Sequence, residues 1–426
     1  MSARDDHRAR SIAIFAALAA GYSASQFYRA SPAVIAPDLM RDLALSSEAI
    51  GGIAGVFFLA FGLAQIPVGI LLDRFGPRRS MSALFVVAVL GAVIFAAAPS
   101  GAALAAGRAV LGVGCAAGLM GAMVVFGRWF SPEKFATMSG LMLGIGSAGV
   151  LLAATPLAMA TASIGWRGAF LAAAAITAML AVLLYAVVRD APPDCRGDGR
   201  PPEGLAESLR GVWTVMQIRP LWRIIVMQLT IYPSVMAVAA LWAGPYLSHV
   251  HGLGTEARGN VLNVLYVALV VSPILFGPLD RVFNTRKRVV IGAAVALVIV
   301  LSILALWPQP ALWQVSVLFA LLGLCCSGSV VLHAHARSVL PDPLIGRGMT
   351  FQNMAAIGGI FVMQVATGWI IGAFAQADGL LPEIAYRSAF GFLAVMVLLS
   401  LAVYIGVKDV RPGETLAPDG NTVTSR

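Results

Sequence analysis

Two arginines stand inside long apolar stretches, where an ionisable group is costly to hold and is usually functional. Arg29 lies in the apolar run that begins at Ser11, and Arg108 lies near the start of another. A guanidinium binds carboxylate, phosphate and sulfate oxygens through paired hydrogen bonds. Tyr22 and Gln26 precede Arg29 at helical spacing and share its face. The pattern predicts an oxyanion site, although Arg29 could instead reach lipid headgroups and Arg108 could bind backbone carbonyls between helices.

Uncharged polar and aromatic side chains in the second half of the chain are further candidates to line such a site. Each could instead join one helix to another. They are Tyr232, Asn263, Tyr266 and Asn353, with Gln228, Gln352 and Gln364 beside them.

His333 and His335 are the candidates for proton coupling, because histidine titrates near neutral pH. They are two residues apart on a predicted helix and should therefore face different sides. The alternative is that both are polar residues at a membrane boundary. No Asp or Glu falls in the middle of an apolar run.

Composition places the chain among polytopic membrane proteins. It has 426 residues, of which 59% are hydrophobic and 12% charged, and its mean hydropathy is +0.86. Soluble domains carry about 25% charged residues. The net charge of +9 is dispersed over loops and forms no basic face, so nucleic-acid binding is not expected. The four cysteines include no C-x-x-C pair, and no catalytic or metal-binding cluster is visible, so we expect neither a cofactor nor enzyme activity.

Apolar runs of about 20 residues, each long enough to span a bilayer as a helix, recur along the chain. The first run is read as a retained helix, since it is too long for a signal peptide and no cleavage site follows it. The twelve predicted spans are 12–36, 49–72, 80–98, 102–126, 135–160, 168–189, 221–247, 259–279, 289–307, 312–337, 348–374 and 387–407.

Basic residues predict the orientation of these spans. With the N-terminus inside, 23 of the 29 Lys and Arg residues fall in cytoplasmic segments and four in outside loops. Both termini are therefore expected in the cytoplasm. Arg29 and Arg108 would both lie roughly 9–12 Å below the outer boundary, close enough in depth to share one cavity.

A polar segment rich in Pro and Gly divides the chain into two halves of six spans. Leu279-Asp280-Arg281 after the eighth span echoes Leu72-Asp73-Arg74 after the second, which indicates an internal repeat. The predicted division is an N-terminal tail 1–11, a bundle 12–189, a linker 190–219, a second bundle 220–407 and a C-terminal tail 408–426.

The stretch Gly69-Ile-Leu-Leu-Asp-Arg-Phe-Gly-Pro-Arg-Arg79 joins the second and third spans. It resembles the G-x-L-x-D-R-x-G-R-R signature of the major facilitator superfamily, departing from it at Pro77. We expect close helix approach at Gly69 and a tight turn at Gly76. The resemblance implies an all-α fold of two pseudo-symmetric six-helix bundles with a binding site between them. The residues predicted to gate the cytoplasmic side are Gly69, Asp73, Arg74, Gly76, Arg78, Arg79 and Arg128.

The first span also resembles the organic-anion and anion:cation symporter branches of that superfamily, through Tyr28-Arg29-Ala-Ser-Pro. Arg108-Ala-Val-Leu-Gly-Val-Gly, Trp166-Arg167 and Asn353 are similar to features of the same branches. The resemblance implies that Arg29 contacts an anionic substrate. Where those symporters often carry carboxylates, this chain has Tyr28 and Cys115. A buried carboxylate proton carrier is therefore not expected, and the substrate itself could be exchanged or carry the proton.

The expected function is secondary active transport of a small solute, an organic anion, by alternating access across the cytoplasmic (inner) membrane. We expect a monomer in the lipid bilayer, with a proton or ion as symport partner. ATP-driven transport is not expected, because no phosphate-binding loop motif occurs. The alternatives are an efflux antiporter for drugs or metabolites and a non-transporting membrane sensor.

Overall fold

A computed structural model describes residues 3–130, 132–190, 214–276, 278–340, 344–376, 381–412, 414–416 and 422–424. Within these residues nine helices are long and apolar enough to cross a membrane. Two of them, Ser47–Ala96 and Met138–Val187, have 50 residues each, which at 1.5 Å per residue is about 75 Å and far more than one bilayer needs. Each is divided by a glycine with positive φ, Gly76 (79°) or Gly165 (73°), and therefore supplies two antiparallel spans.

The nine helices thus supply eleven spans. The twelfth is the first span of the chain, which is not among the nine helices and carries the polar residues Tyr22, Gln26 and Arg29. The all-α, twelve-span membrane fold is therefore confirmed. The helices are Ala3–Ala30 and Pro32–Leu43 (first span), Ser47–Ala96 (second and third), Gly101–Cys115 and Ala117–Trp129 (fourth), Pro132–Ser147, Gly149–Leu152 and Thr155–Val187 (fifth and sixth), Arg219–Gln228, Ile231–Ala237, the π-helix Val238–Trp242 and Ala243–His249 (seventh), Thr255–Phe276 (eighth), Leu279–Val282, Arg286–Leu306 (ninth), Leu312–Leu324 and Ser327–Ser338 (tenth), Ile345–Gly372 (eleventh) and Glu383–Tyr404 (twelfth).

The predicted domain boundaries can be compared with the structure only in part. The first helix already begins at Ala3, inside the predicted tail. Most of the predicted linker lies outside the described residues. In the C-terminal tail, Glu414–Leu416 pairs antiparallel with Thr422–Thr424. The division into bundles 12–189 and 220–407 stays a prediction.

Helix interruptions recur at equivalent places in the repeat, in the first, fourth, seventh and tenth spans. At the interruption of the fourth span, side chains of other spans reach two backbone carbonyls. Ser25 Oγ donates to Cys115 O (3.2 Å), and Gln65 Nε2 lies 3.5 Å from Ala116 O. In the tenth span Ser272 Oγ donates to Leu324 O (2.6 Å). Such bonds help to satisfy the polar backbone groups where a helix breaks within the membrane.

The loops at one end of the bundle repeat a second interaction. Gly76 is required at its turn, since a Cβ there would lie 2.5 Å from Asp190 Oδ2, and Asp190 Oδ1 accepts a 2.7 Å bond from Arg78 N at the start of the third span. In the other half, Asp409 Oδ1 accepts a 3.0 Å bond from Lys287 N at the start of the ninth span. Each carboxylate caps a helix N-terminus. The two aspartates end the repeated sequences Tyr-Ala-Val-Val-Arg-Asp190 and Tyr-Ile-Gly-Val-Lys-Asp409.

We expect Asp409→Asn to lower the thermal stability of the detergent-solubilised protein at pH 7, by about 0.3–1 kcal/mol, the usual size of the interaction between a carboxylate charge and a helix N-terminus. Burial acts to raise the pKa of Asp409, but hydrogen bonds from Thr285 and the Lys287 amide outweigh it and hold the pKa below its ordinary value. Because the folded pKa is depressed, this stabilisation is present above the ordinary value near 3.9 and is lost as pH falls through the folded pKa. The melting difference between wild type and variant should therefore shrink at acidic pH.

The matched control is Asp73→Asn, which removes an exposed carboxylate from a neighbouring loop and should leave the melting temperature unchanged at every pH. A variant that melts like wild type at pH 7, or a difference that persists unchanged at pH 3, contradicts the capping role of Asp409.

Candidate functional site

A cavity of about 470 Å³ lies in the middle of the molecule, between the two halves of the chain. Spans one, two and four of the first half and spans seven, ten and eleven of the second half line it. The interrupted first, fourth, seventh and tenth spans all contribute residues to the cavity wall. The lining residues are Tyr22, Ser25, Arg29, Phe61, Gln65, Cys115, Ala116, Leu119, Met120, Met123, Gln228, Tyr232, Ser329, His333, Met349, Thr350, Asn353, Ala356 and Ile357.

Among the described lining residues, Arg29 is the one Arg or Lys, and none of them is an Asp or Glu. It is 9% exposed, and its guanidinium carbon lies 5.0 Å from the centre of the Phe61 ring. Its Nε is buried without a hydrogen-bond partner among the described residues. Tyr22 and Tyr232, from opposite halves, both lie within the electrostatic reach of Arg29. The wall thus presents an uncompensated guanidinium between two phenol groups.

Arg108 does not share the cavity with Arg29. It is completely buried within the first half, donates a 2.6 Å bond from Nη1 to Tyr28 O, and lies 4.5 Å from the centre of the Phe57 ring. Tyr28 O is free for this bond because the residue four positions later is Pro32, which has no N–H. The alternative reading holds for Arg108: it joins the fourth span to the first through a backbone carbonyl.

The other predicted candidates divide in the same way. Asn353 and His333 lie in the cavity wall, where His333 Nδ1 is 2.7 Å from Ser329 O. His335 is fully buried on the opposite face of its helix, 2.7 Å from the Tyr404 hydroxyl and 3.1 Å from Lys408 O. The two histidines therefore face different sides, as their spacing predicts.

Three further candidates lie outside the cavity wall. Gln26 is buried nearby on the first span. Asn263 bonds to Thr155 on the fifth span, and Tyr266 donates to Ala239 O (2.9 Å) and lies 3.3 Å from Ala30 O. Asn263 and Tyr266 thus join the two halves to each other, and no lining role is left for them in this conformation.

Several polar lining residues escaped the sequence analysis: Ser25, Gln65, Ser329 and Thr350. Serine and threonine are too frequent in apolar helices to be singled out by type. The signal that could have found Ser25 is its position, since it lies between Tyr22 and Arg29 on the same helical face.

One end of the bundle, which we call the Asp38 end, is closed by a buried ion pair between the halves. Arg258 of the eighth span donates from Nη2 to Asp38 Oδ2 (2.9 Å) and to Val34 O (2.6 Å) on the first span. The side chains of Arg258 and Asp38 are 3% and 10% exposed. Closely packed helices surround the pair: Gly244 leaves no room for a Cβ against Ala33 O, whose helical donor is replaced by Pro37.

At the other end, which we call the Gly76 end, the second and eleventh spans separate. A Cβ at Gly51 would lie 2.6 Å from Gln364 O and one at Gly62 would lie 3.3 Å from Ile357, whereas one at Gly69 would meet nothing within 4 Å. The expected close approach at Gly69 is therefore wrong for this conformation. The second and eleventh spans therefore lie close together towards the Asp38 end and farther apart towards the Gly76 end.

The predicted gate residues lie at the Gly76 end without closing it. Asp73 and Arg128 are exposed, and no ion pair joins them within the described part of the chain. Arg74 packs on Phe75 (5.2 Å), Arg79 is exposed, and Arg78 donates to Tyr185 O (2.7 Å) within its own half. The predicted tight turn at Gly76 is present, with its φ of 79°.

A twelve-span helical bundle with a central cavity closed at one end defines the class of this membrane protein. A family model described as the Major Facilitator Superfamily matches residues 16–269 and 245–423. The chain belongs to the Major Facilitator Superfamily, which confirms the resemblance inferred from Gly69–Arg79.

Individual relatives are distant. The nitrate/nitrite transporter NrtP of Picosynechococcus sp. is 29% identical over 261 residues, which is 54% of this chain and 47% of that protein. The probable L-galactonate transporter of Escherichia coli is 28% identical over 162 residues, 38% of this chain and 36% of that protein. The chain thus spans less than half the length of either relative.

The fold is shared with solved structures at low sequence identity. A bacterial homologue of the human lysosomal transporter Spinster, in an inward-facing and unoccupied conformation, superposes with a TM-score of 0.72 at 18% identity. The match covers 93% of this chain and 96% of that one.

We expect Asp38→Asn to loosen the Asp38 end, because it leaves Arg258 buried without its carboxylate, a loss worth about 3–5 kcal/mol when a buried pair is broken. Hydrogen exchange measured by mass spectrometry should become faster in Pro32–Leu43 and at the start of Thr255–Phe276.

Asp42→Asn is the matched control, since Asp42 lies on the same helix but bonds only to Trp166 and nearby arginines of its own half. If both variants exchange like wild type in these segments, the ion pair does not hold this end closed.

Proposed function

We propose that the protein is a secondary active transporter that carries a small anion, with an organic anion as the main candidate, by alternating access across the cytoplasmic membrane. The observation that carries the proposal is Arg29, a buried guanidinium in the wall of the central cavity with no carboxylate beside it. The family assignment supports transport rather than catalysis.

The chemistry of the cavity favours an anion with an apolar part. A guanidinium offers paired donors to an oxyanion, and Tyr22, Tyr232 and Asn353 add neutral hydrogen-bonding groups around it. Leu119, Met120, Met123 and Met349 supply apolar and polarisable surface for a carbon skeleton. The names of the two relatives above specify anions, nitrate or nitrite and galactonate. A cavity of about 470 Å³ is larger than nitrate needs and supports the organic class.

Alternating access follows from the opposite states of the two ends. The Asp38 end is held by Arg258 and by close helix contacts, whereas at the Gly76 end no ion pair joins the halves among the described residues and a Cβ at Gly69 would meet nothing within 4 Å. On the distribution of basic residues the Gly76 end faces the cytoplasm, with both termini. When the halves 12–189 and 220–407 rock to close it, Asp73 would approach the N-terminus of the eleventh span, where a helix attracts a carboxylate, with Arg74 and Arg128 as partners.

The runner-up is efflux of an amphipathic drug or metabolite, for which the methionine-lined wall is the favourable feature. That reading gives Arg29 no role in recognition. A sensor that binds without transport is the third candidate. Transport measurements on the purified protein separate it from the first two.

We expect Arg29→Ala to abolish stabilisation of the purified protein by anions. Thermal unfolding would be measured with nitrate, L-galactonate, sulfate, phosphate, amino acids and cationic drugs. Removing a hydrogen-bonded charge partner costs about 1.5–3 kcal/mol, so affinity should fall by at least about tenfold. Arg29→Lys keeps the charge but loses the paired geometry and should retain only part of the effect.

Arg167→Ala is the matched control: it removes an arginine at the Asp38 end that contacts Ala98 O and Trp166 and lies outside the cavity wall. Stabilisation by cationic drugs alone, unaffected by Arg29→Ala, would replace the anion reading with the efflux reading.

A further inference from the structure

We propose that the protein is an obligate anion exchanger, in which the carrier changes conformation readily only when an anion occupies the cavity. The inference rests on the proposed anion transport and goes beyond it, because it assigns the mode of coupling. It replaces a proton or ion symport with the exchange of one anion for another.

The charge inventory of the cavity is the first argument. Arg29 is the Arg or Lys side chain of its described lining, and none of the lining residues that the structure describes is an Asp or Glu. The remaining titratable side chains of the lining are Tyr22, Cys115, Tyr232 and His333. Tyrosine and cysteine are neutral at pH 7 at their ordinary pKa values, and histidine is mostly so. The empty cavity therefore carries one uncompensated positive charge.

The second argument is how the other buried arginines are accommodated. Arg258 has Asp38 as an ion-pair partner. Arg108 has the Tyr28 carbonyl and the Phe57 ring, and all of these lie within the first half of the chain. If each half moves as a body, the surroundings of Arg108 stay the same throughout the cycle. Arg29 differs, because its wall is shared with Tyr232 and Asn353 of the other half and changes whenever the halves move.

Closing the open cavity around an empty site would take the Arg29 charge out of water without giving it a counter-charge. The neutral groups nearby are poor substitutes. Ser25 Oγ is bonded to Cys115 O and Gln228 Nε2 to Ser329, and the Tyr232 hydroxyl, which is hydrogen-bonded to Arg29, is neutral and cannot balance its charge. A bound monovalent anion forms an ion pair with Arg29 and makes the closed cavity neutral. Because buried unpaired charge is strongly disfavoured, occupancy by an anion lowers the barrier to closure.

The same geometry predicts the electrical behaviour. One monovalent anion enters and one leaves in each cycle, and the loaded cavity is neutral in both directions. Exchange should therefore be insensitive to membrane potential.

Proton symport through His333 is the competing mechanism, because His333 is the cavity side chain whose ordinary pKa is closest to neutral.

The test uses the full-length protein purified and reconstituted into liposomes, with labelled nitrate and labelled L-galactonate as probes. Uptake is measured into vesicles that contain the same unlabelled anion and into vesicles that contain none. We expect at least about tenfold faster uptake into the loaded vesicles for a transported probe, since a buried unpaired charge slows the return of the empty carrier. Imposed potassium diffusion potentials should not change this ratio.

Two variants sharpen the outcome. His333→Gln should keep the wild-type ratio of uptake into loaded and empty vesicles, whatever its absolute rate, since His333 lines the cavity but does not set its permanent charge. Arg29→Gln removes the fixed charge, so its weak uptake at high probe concentration should be equal in loaded and empty vesicles. Wild-type uptake into empty vesicles that is driven by an inward proton gradient and lost in His333→Gln would overturn the exchanger and establish proton symport.

Failure of the underlying function gives a different result. If neither probe is taken up in any vesicle and no anion of the panel stabilises the protein through Arg29, then anion transport itself is wrong and exchange falls with it. If anions bind through Arg29 and uptake is equal in loaded and empty wild-type vesicles, only the exchange inference is wrong.

Discussion

Backbone carbonyls that lose their helical donors inside the bilayer are the constraint on which much of this structure depends. Pro32 and Pro37 lack the N–H groups that Tyr28 O and Ala33 O would otherwise receive. Arg108 bonds to the first carbonyl, and the backbone at Gly244 packs directly against the second. One contact ties the first span into its own half, and the other joins the two halves. Two prolines in one helix thus determine where an arginine and a glycine must lie in two others.

Arg29 is the exception to this rule of local compensation, and its exceptional state makes it the best candidate for ligand binding. Arg108 and Arg258 have carbonyl or carboxylate partners within the protein. Arg29 has an aromatic ring at 5.0 Å and no carboxylate among the described residues that line the cavity. Arg108 and Arg258 also have buried nitrogens without partners, so the position in the cavity wall is what distinguishes Arg29. The cavity beside it provides the space for a ligand.

Hydropathy was sufficient to predict the twelve spans, because length and apolarity are dictated by the bilayer itself. The direction of individual side chains was harder. Counting residues from the span ends placed Arg29 and Arg108 at similar depths in the membrane. It could not give the direction in which either side chain points from its helix, so it could not distinguish a cavity residue from a structural one. The spacing of Tyr28 and Pro32 contained part of that information, since it creates a carbonyl without a helical donor, to which Ser31 and Arg108 both donate. The interruptions of the fourth and tenth spans had no comparable signal, because Ala116 and Cys325 are not helix breakers.

The duplication that the Asp73 and Asp280 segments suggested has its clearest structural expression elsewhere, in Asp190 and Asp409. Each carboxylate follows the last span of its half and caps a helix that begins in the same half, the third or the ninth. Such a bond ties the last span of a half to an earlier one and so restrains movement within that half. The contacts between halves are of another kind, and at the Gly76 end Asp73 and Arg128 remain exposed. Bonds of this kind hold each half of the repeat together. This is the arrangement required if the two halves move against each other around the cavity that contains Arg29.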